Sequence, residues 1–147
     1  MEIYDIARAY MRANGNMTQW VNGYPRESLV SSDIEDGNLY VLCGDDGNPH
    51  AVFGIYPGDD PTYAYIDGKW GSDAPYAAIH RVASDGAKKG VFRKAFEYAS
   101  SMYDHLRIDT HADNITMQRA VEACGFIHRG TIYLADGAPR LAYEWVK

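Results

Sequence analysis

The sequence predicts a mixed α/β (α+β) chain, a central sheet with helices on its faces. Three observations carry this. Segments with apolar residues at helical spacing alternate with apolar runs of strand length. Five Asp-Gly dipeptides, at 36–37, 46–47, 67–68, 85–86 and 136–137, punctuate the chain as turns. One apolar run, "YAAIHRVAS", leads straight through a basic, glycine-bearing loop into a helix pattern.

The elements follow in order. Ile3, Ile6, Ala7, Tyr10 and Met11 form an amphipathic helix face that Asn14-Gly15 ends. "YPRESLVSSDIEDG" predicts a short second helix, with Pro25 in its first turn and Gly37 beyond its end. "NLYVLCG" and "HAVFGIY" read as a hairpin around Asp45-Asp46-Gly47-Asn48. Residues 57–75 read as a loop, with a short strand near "YAYI". "YAAIHRVAS" is the next strand. After the basic loop, Phe92, Ala95, Phe96, Ala99 and Tyr103 line a helix. "HLRIDTH" is a strand, and Asp113 then caps a helix bearing Met117, Val121 and Cys124, which Gly125 stops. "FIHRGTIYLA" and "APRLAYEWV" close the chain as a hairpin about Asp136-Gly137.

No repeat or linker interrupts the 147 residues, which read as a single domain over 1–147. Apolar residues make up 46% and charged residues 23%, as in a soluble globular protein. No run approaches a membrane span, and the N-terminus is amphipathic rather than signal-like, so a cytoplasmic protein is expected. Cys43 and Cys124, lone and far apart, read as buried thiols in a reducing compartment rather than as a disulfide or metal pair. The net charge of −6 argues against nucleic acid as a partner.

Against that charge, four of the seven residues from Lys88 to Lys94 are cationic. A strand feeding a helix through a glycine turn leaves unpaired N–H groups at the positive end of the helix dipole, an anion site. Cations at that end are disfavoured by the dipole unless an anion joins them. Gly90 permits close backbone approach, and Lys88, Lys89, Arg93 and Lys94 suit phosphate. Neither the Walker spacing nor the dinucleotide G-x-G-x-x-G spacing occurs here.

Taken together, these residues resemble the GNAT family of acetyl-CoA-dependent N-acetyltransferases. "NITMQRAVEACGF" keeps Asn114, Glu122, Gly125 and Phe126 of the family's N-x-x-A-x-x-L-Y-E-x-x-G-F pattern. "LRIDTHADN" at 106–114, Trp20, Tyr24-Pro25 and Trp70 add to the ordered set, which covers about residues 15 to 145. The family's pyrophosphate loop, [QR]-x-x-G-x-[GA], is divergent: it aligns with Lys89, Gly90, Val91, Phe92, Arg93 and Lys94, where Phe92 and Lys94 replace small residues. The resemblance implies a mixed, mostly antiparallel sheet flanked by helices, with the family's first strand missing. It implies acetyl-CoA as cosubstrate, bound by that loop, by backbone at Val82, Ala83 and Ser84, and by Asn114. The plainer role of Asn114 is a helix cap beside Asp113. It also implies that the tyrosine which often protonates the departing thiolate is replaced by Val121.

Acetyl transfer needs a neutral amine, and a base with pKa near 7 produces one best, so histidines come first. His80 lies in the strand that would border the cofactor, and His111 lies at the end of "RIDTH". For both, an ordinary hydrogen-bonded histidine is the competing reading. His50, His105 and His128 have no such placement. Tyr133 or Tyr143 could replace the missing tyrosine. Trp20, Tyr24, Tyr63, Trp70 and Tyr76 could wall an acceptor pocket, and Asp33 and Asp60 could hold a cationic acceptor. No histidine pair has metal-ligand spacing, so no metal is expected. The expected acceptor is an amine of a small molecule or peptide, and a homodimer is left open. A GNAT-like acyl-CoA-binding module without turnover and a purely structural subunit are the alternatives.

Overall fold

The computed structural model describes residues 1–147. The elements are α1 (Glu2–Ala13), α2 (Glu27–Glu35), β1 (Leu39–Cys43), β2 (Pro49–Pro57), β3 (Asp67–Gly68), β4 (Ala77–Ser84), α3 (Val91–Met102), β5 (His105–Thr110), α4 (Ile115–Ala123), β6 (Ile127–Tyr133) and β7 (Pro139–Val146). Seven strands form one sheet in the order β1-β2-β4-β5-β7-β6-β3. Every pairing is antiparallel except β4 with β5. That parallel pair is where the site forms.

Alternation along the strands sends successive side chains to opposite faces, and each face is covered differently. Phe53, Ile55, Ile79, Leu106, Ile108 and Tyr143 pack on one face against Phe92, Ala95 and Ala99 of α3 and Val121 of α4. Burying a side chain such as Ile79 or Leu106, both wholly inaccessible, contributes about 1.5–3 kcal/mol. On the other face, Val52 and Ala83 meet Tyr4 and Ala7 of α1 and Val30 of α2. Further along that face, Tyr63, Tyr76, Ala78, Ile132 and Ala142 form a third cluster.

The α1 face is rotated from the expected one. Tyr4, Ala7 and Met11 are buried, whereas Ile6 and Tyr10 are exposed. The Tyr4 ring packs edge-on against Trp20, 5.8 Å between centroids, which gives the larger aromatic the inward position. α2 starts at Glu27, so Pro25 precedes it rather than sitting in its first turn. The strand expected near "YAYI" is the two-residue β3, which pairs with Gly130 and Thr131 of β6. The 3-10 turn Pro61–Tyr63 occupies the residues just before it.

A buried ionic network anchors the segment that crosses beneath the sheet's second face. Glu144 of β7, wholly inaccessible, accepts from the Gly71 amide at 2.7 Å, Arg129 Nε at 2.8 Å and His105 Nε2 at 2.8 Å. Arg107 donates to the Ser72 carbonyl and lies between the rings of Trp70 and Tyr76, 4.0 and 4.1 Å from their centroids. Burial pushes the Glu144 carboxyl up, but the Gly71 amide, His105 and Arg129 outweigh it and hold it below the ordinary carboxylate range. Glu144→Ala leaves buried cations without their partner and should lower stability in urea by about 3–5 kcal/mol at pH 7. A lowered folded pKa stabilises above the unfolded value of about 4.3, so the gap between wild type and variant should narrow as pH falls below about 5.

Candidate active site

β4 and β5 pair at only two positions, Ala77 with Leu106 and Ala78 with Arg107. Beyond them the strands diverge, although β4 continues to Ser84 and β5 to Thr110. The edge of β4 that faces β5 is therefore unpaired from about Ile79 onward. On its other edge, β4 keeps its bonds to β2 through a bulge: Gly54 pairs with His80 and Val52 with Ala83, so that two residues of β4, Arg81 and Val82, stand against one of β2, Phe53. Arg81 at the bulge has φ 53°, a left-handed conformation that a non-glycine residue adopts only when its surroundings impose it.

The surroundings are plain. The Arg81 guanidinium makes a two-pronged contact with Asp33 of α2, Nη2 to Oδ1 at 2.7 Å and Nε to Oδ2 at 3.0 Å. It also donates to the hydroxyls of Tyr24 and Tyr56 and stacks on the Tyr56 ring. Burial pulls the guanidinium down in pKa, but Tyr24, Tyr56 and Asp33 outweigh it, so it stays charged. Asp33 is 4% exposed and already paired, which removes it as a free contact for a cationic acceptor.

The divergence opens a cleft of about 700 Å3. Ile79, His80, Arg81 and Val82 line it from β4, and Ile108, Asp109 and Thr110 from β5. The α1–α2 connection arches over its end, where Thr18 meets His111 and Gln19 meets Asn114.

Each expected residue has a definite place. His80 Nε2 lies 2.8 Å from Asp60 Oδ2, and its Nδ1 lies 3.7 Å from Asp109 Oδ2. Burial pushes Asp60 up, but His80 and both donors of Thr62 outweigh it and hold it well below the ordinary carboxylate range. With Asp60 ionised, His80 donates to it from Nε2, which leaves Nδ1 on the Asp109 side. Asp109 also accepts from the Tyr63 hydroxyl at 2.8 Å. Burial, then Asp109, pushes the Tyr63 phenol far up, so it remains a donor.

His111 is differently bound. Its Nδ1 accepts from the Asp113 amide and its Nε2 faces Thr18 Oγ1 at 2.9 Å, so both ring nitrogens are engaged. Burial and nearby Arg140 push it down in pKa. Asn114, rather than Asp113, caps α4: its Oδ1 accepts from the Met117 amide at 3.1 Å, while its Nδ2 donates to Gln19. Tyr133 is 42% exposed beside Tyr65 and does not line the cleft. Tyr143 is buried, directs its hydroxyl at Glu122, and is pushed up to about 12 by burial and that carboxylate. Val121 is fully buried. Trp20 and Tyr24 line the cleft, whereas Tyr63, Trp70 and Tyr76 lie in the packed layer behind it.

In the basic loop, Gly90 adopts a left-handed conformation, φ 69°, at the start of α3. The amides of Val91, Phe92 and Arg93 have no protein acceptor, since the first return bond runs from Lys94 to the Gly90 carbonyl. Val91 and Phe92 bury their side chains, and Lys88, Lys89, Arg93 and Lys94 are exposed. The loop is pinned to β2 by Asp85, which accepts from His50 Nδ1 at 2.7 Å and from the Ala87 amide at 2.8 Å. No group of three or more His, Cys, Asp or Glu side chains is placed to hold a metal ion, and no helix is long and apolar enough to cross a membrane.

Sequence reasoning missed Asp109, the Arg81–Asp33 pair and Thr110. A signal for Asp109 exists: His105, Arg107 and Asp109 are polar at alternate positions of β5, which places them on one face.

This architecture has relatives of known structure. A GNAT-family acetyltransferase from Streptococcus agalactiae superposes with a TM-score of 0.88 at 30% identity, over all of this chain and 87% of that one. A GNAT-family acetyltransferase from Listeria monocytogenes gives 0.70 at 15% identity, over 99% and 86%. The aminoglycoside acetyltransferase AAC(6')-Ib, in complex with coenzyme A and kanamycin, gives 0.60 at 18%, over 99% and 88%. No protein-family profile matches the sequence, and no curated protein matches it. The chain belongs to the GNAT family of acetyltransferases.

The strained bulge gives a direct test. Asp33→Ala leaves Arg81 buried without its counter-charge and should reduce stability by about 3 kcal/mol in chemical denaturation. The loss should exceed that of Asp59→Ala, an exposed carboxylate of the cleft rim.

Proposed function

We propose that this chain is an acetyl-CoA-dependent N-acetyltransferase that moves an acetyl group to an amine of a small molecule or peptide by direct attack. The single observation that carries the reading is the wedge between β4 and β5. It presents an unpaired strand edge, with free helix amides beyond one end and a carboxylate–histidine–carboxylate set on one face.

Acetyl-CoA fits the first two features. Its pyrophosphate would meet the amides of Val91, Phe92 and Arg93 past Gly90, with Lys88, Lys89, Arg93 and Lys94 supplying charge. Because Val91 and Phe92 are buried, they offer backbone only. The amide-bearing arm would add to the open edge of β4 at Val82, Ala83 and Ser84, and a backbone N–H there would polarise the thioester carbonyl. Asn114 shapes the rim of this channel through its cap and its bond to Gln19.

The acceptor amine would enter from the face that carries His80. Asp59, Asp60, Asp109 and Asp136 all line the cleft and favour a cation. His80 Nδ1 takes the amine proton, Asp60 holds the ring in that tautomer, and Asp109 stabilises the imidazolium. The amine lone pair attacks the thioester carbon, the C–N bond forms, and the C–S bond breaks with its electrons on sulphur. His111, with both nitrogens engaged, serves as a wall. Tyr133, outside the cleft, takes no part. The complex of AAC(6')-Ib with coenzyme A and kanamycin supports a small-molecule acceptor in this fold.

Val121 favours a second reading, an acyl-CoA-binding module without turnover, because a buried valine supplies no proton. CoA release across a panel of amines that includes kanamycin and spermidine decides between them. Under the enzyme reading at least one amine drives release, and His80→Ala lowers kcat/KM by about 10²–10³-fold. Binding of acetyl-CoA in calorimetry with no release by any amine would establish the module. In either case the triple replacement of Lys88, Lys89 and Arg93 by Ala should weaken acetyl-CoA binding, most strongly at low salt.

A further inference from the structure

Five residues with hydroxyl groups line the cleft, namely Thr18, Tyr24, Tyr56, Thr62 and Thr110. Four of these hydroxyls are engaged within the protein: Thr18 with His111, Tyr24 and Tyr56 with Arg81, Thr62 with Asp60. The fifth is not. Thr110 is 1% exposed, and its Oγ1 is buried with no hydrogen-bond partner. A buried hydroxyl left unpaired costs stability, and its retention calls for an explanation in a ligand.

Position narrows what that ligand atom is. Thr110 lies three residues beyond Arg107, the last β5 residue paired with β4. Arg81, at the β4 bulge, lies three residues beyond Ala78, the matching point on the other strand. At about 3.3 Å per residue, Thr110 therefore stands across the wedge from the bulge, at the same depth. By strand alternation it shares a face with Leu106 and Ile108, which pack against α3 and α4, whereas Asp109 faces Tyr63 and His80. Thr110 is thus on the side of the wedge opposite the base, away from the approaching amine, where the sulphur of a thioester held along β4 can be reached without blocking His80.

We propose that Thr110 Oγ1 is a catalytic hydrogen-bond donor to the sulphur of the acyl donor, stabilising the thiolate as the C–S bond breaks. This rests on the reading of the wedge as an acyl-CoA site. Threonine does not give up its proton in the step. The electron pair of the broken C–S bond stays on sulphur, Thr110 donates to it, and solvent protonates the thiolate after release. The amine proton leaves separately through His80.

The test needs no acceptor. CoA and desulfo-CoA, which lacks only the sulphur, are titrated into the full chain by calorimetry at pH 7 and pH 9. Wild type should prefer CoA, and the preference should grow to about tenfold at pH 9, because a hydrogen bond to an ionised group is the stronger kind. Thr110→Val should bring the two affinities to near parity while leaving desulfo-CoA binding within about twofold, and Thr110→Ser should keep the preference. The melting temperature of Thr110→Val should equal or exceed that of wild type, since an unpaired hydroxyl has been removed. If that variant does not fold, Thr110→Ala supplies the hydroxyl-free comparison. An unchanged CoA preference in the hydroxyl-free variant overturns the role of Thr110 while leaving the acyl-CoA reading intact. Wild type binding neither compound overturns both.

Discussion

The site depends on one ion pair. A β-strand bound on one edge by β2 would normally continue its register to the end, and β4 does not, because Arg81 adds a residue at the bulge and takes a left-handed backbone conformation. That conformation costs on the order of 1–3 kcal/mol and persists only when the side chain is held. Asp33 holds it from α2 with two hydrogen bonds, and the hydroxyls of Tyr24 and Tyr56 complete the cage. The same contact ties α2 to the sheet just beyond the point where β4 parts from β5. A buried pair of this kind is weak as a source of net stability, since desolvation offsets most of the attraction. Its value is in specifying one geometry.

Divergence of two parallel strands then does two things at once. It leaves a row of backbone groups unpaired along β4, which a ligand chain can satisfy. It also separates the two faces of the sheet at that depth, so that a group on one side of the wedge can reach a group on the other. His80, Asp60 and Asp109 lie on the α1–α2 side, and Thr110 on the side of α3 and α4. Under the proposed reading, the attacking amine and the thioester sulphur would be met by groups from different sides of the wedge.

The departures from the family pattern have physical counterparts. The divergent loop has a left-handed Gly90 and three free amides, with Phe92 and Lys94 at positions where the family pattern has small residues. Phe92 turns its ring into the core against Phe126, so the substitution changes the packing beneath the loop rather than the amides above it. Val121, in contrast, closes a position where a hydroxyl would otherwise reach the channel. It is fully buried in the cluster that also holds Tyr143 and Ile108, and it supplies no hydroxyl there.

Much of the fold was legible in the sequence because its signals are local. Helical and strand periods, Asp-Gly turns and the strand–loop–helix unit at 77–102 are set within a few residues by backbone sterics and side-chain alternation. So were the basic loop and the candidacy of His80, which follows from its place in the strand before that loop. Asp109 was within reach of the same alternation. The rest was decided by tertiary contacts between residues far apart in the chain. Asp33 read as a free acceptor contact until the fold brought Arg81 to it across 48 positions, and only the fold shows that both ring nitrogens of His111, one of two candidate bases, are engaged by Thr18 and the Asp113 amide. Tyr133 and Thr110 could not be ranked from the sequence, since a hydroxyl is identical in composition whether it faces solvent or a closed channel. Local sequence determines which conformation each segment prefers; which polar groups remain unpaired is a property of the packed whole, because only packing removes the water that would otherwise have paired them.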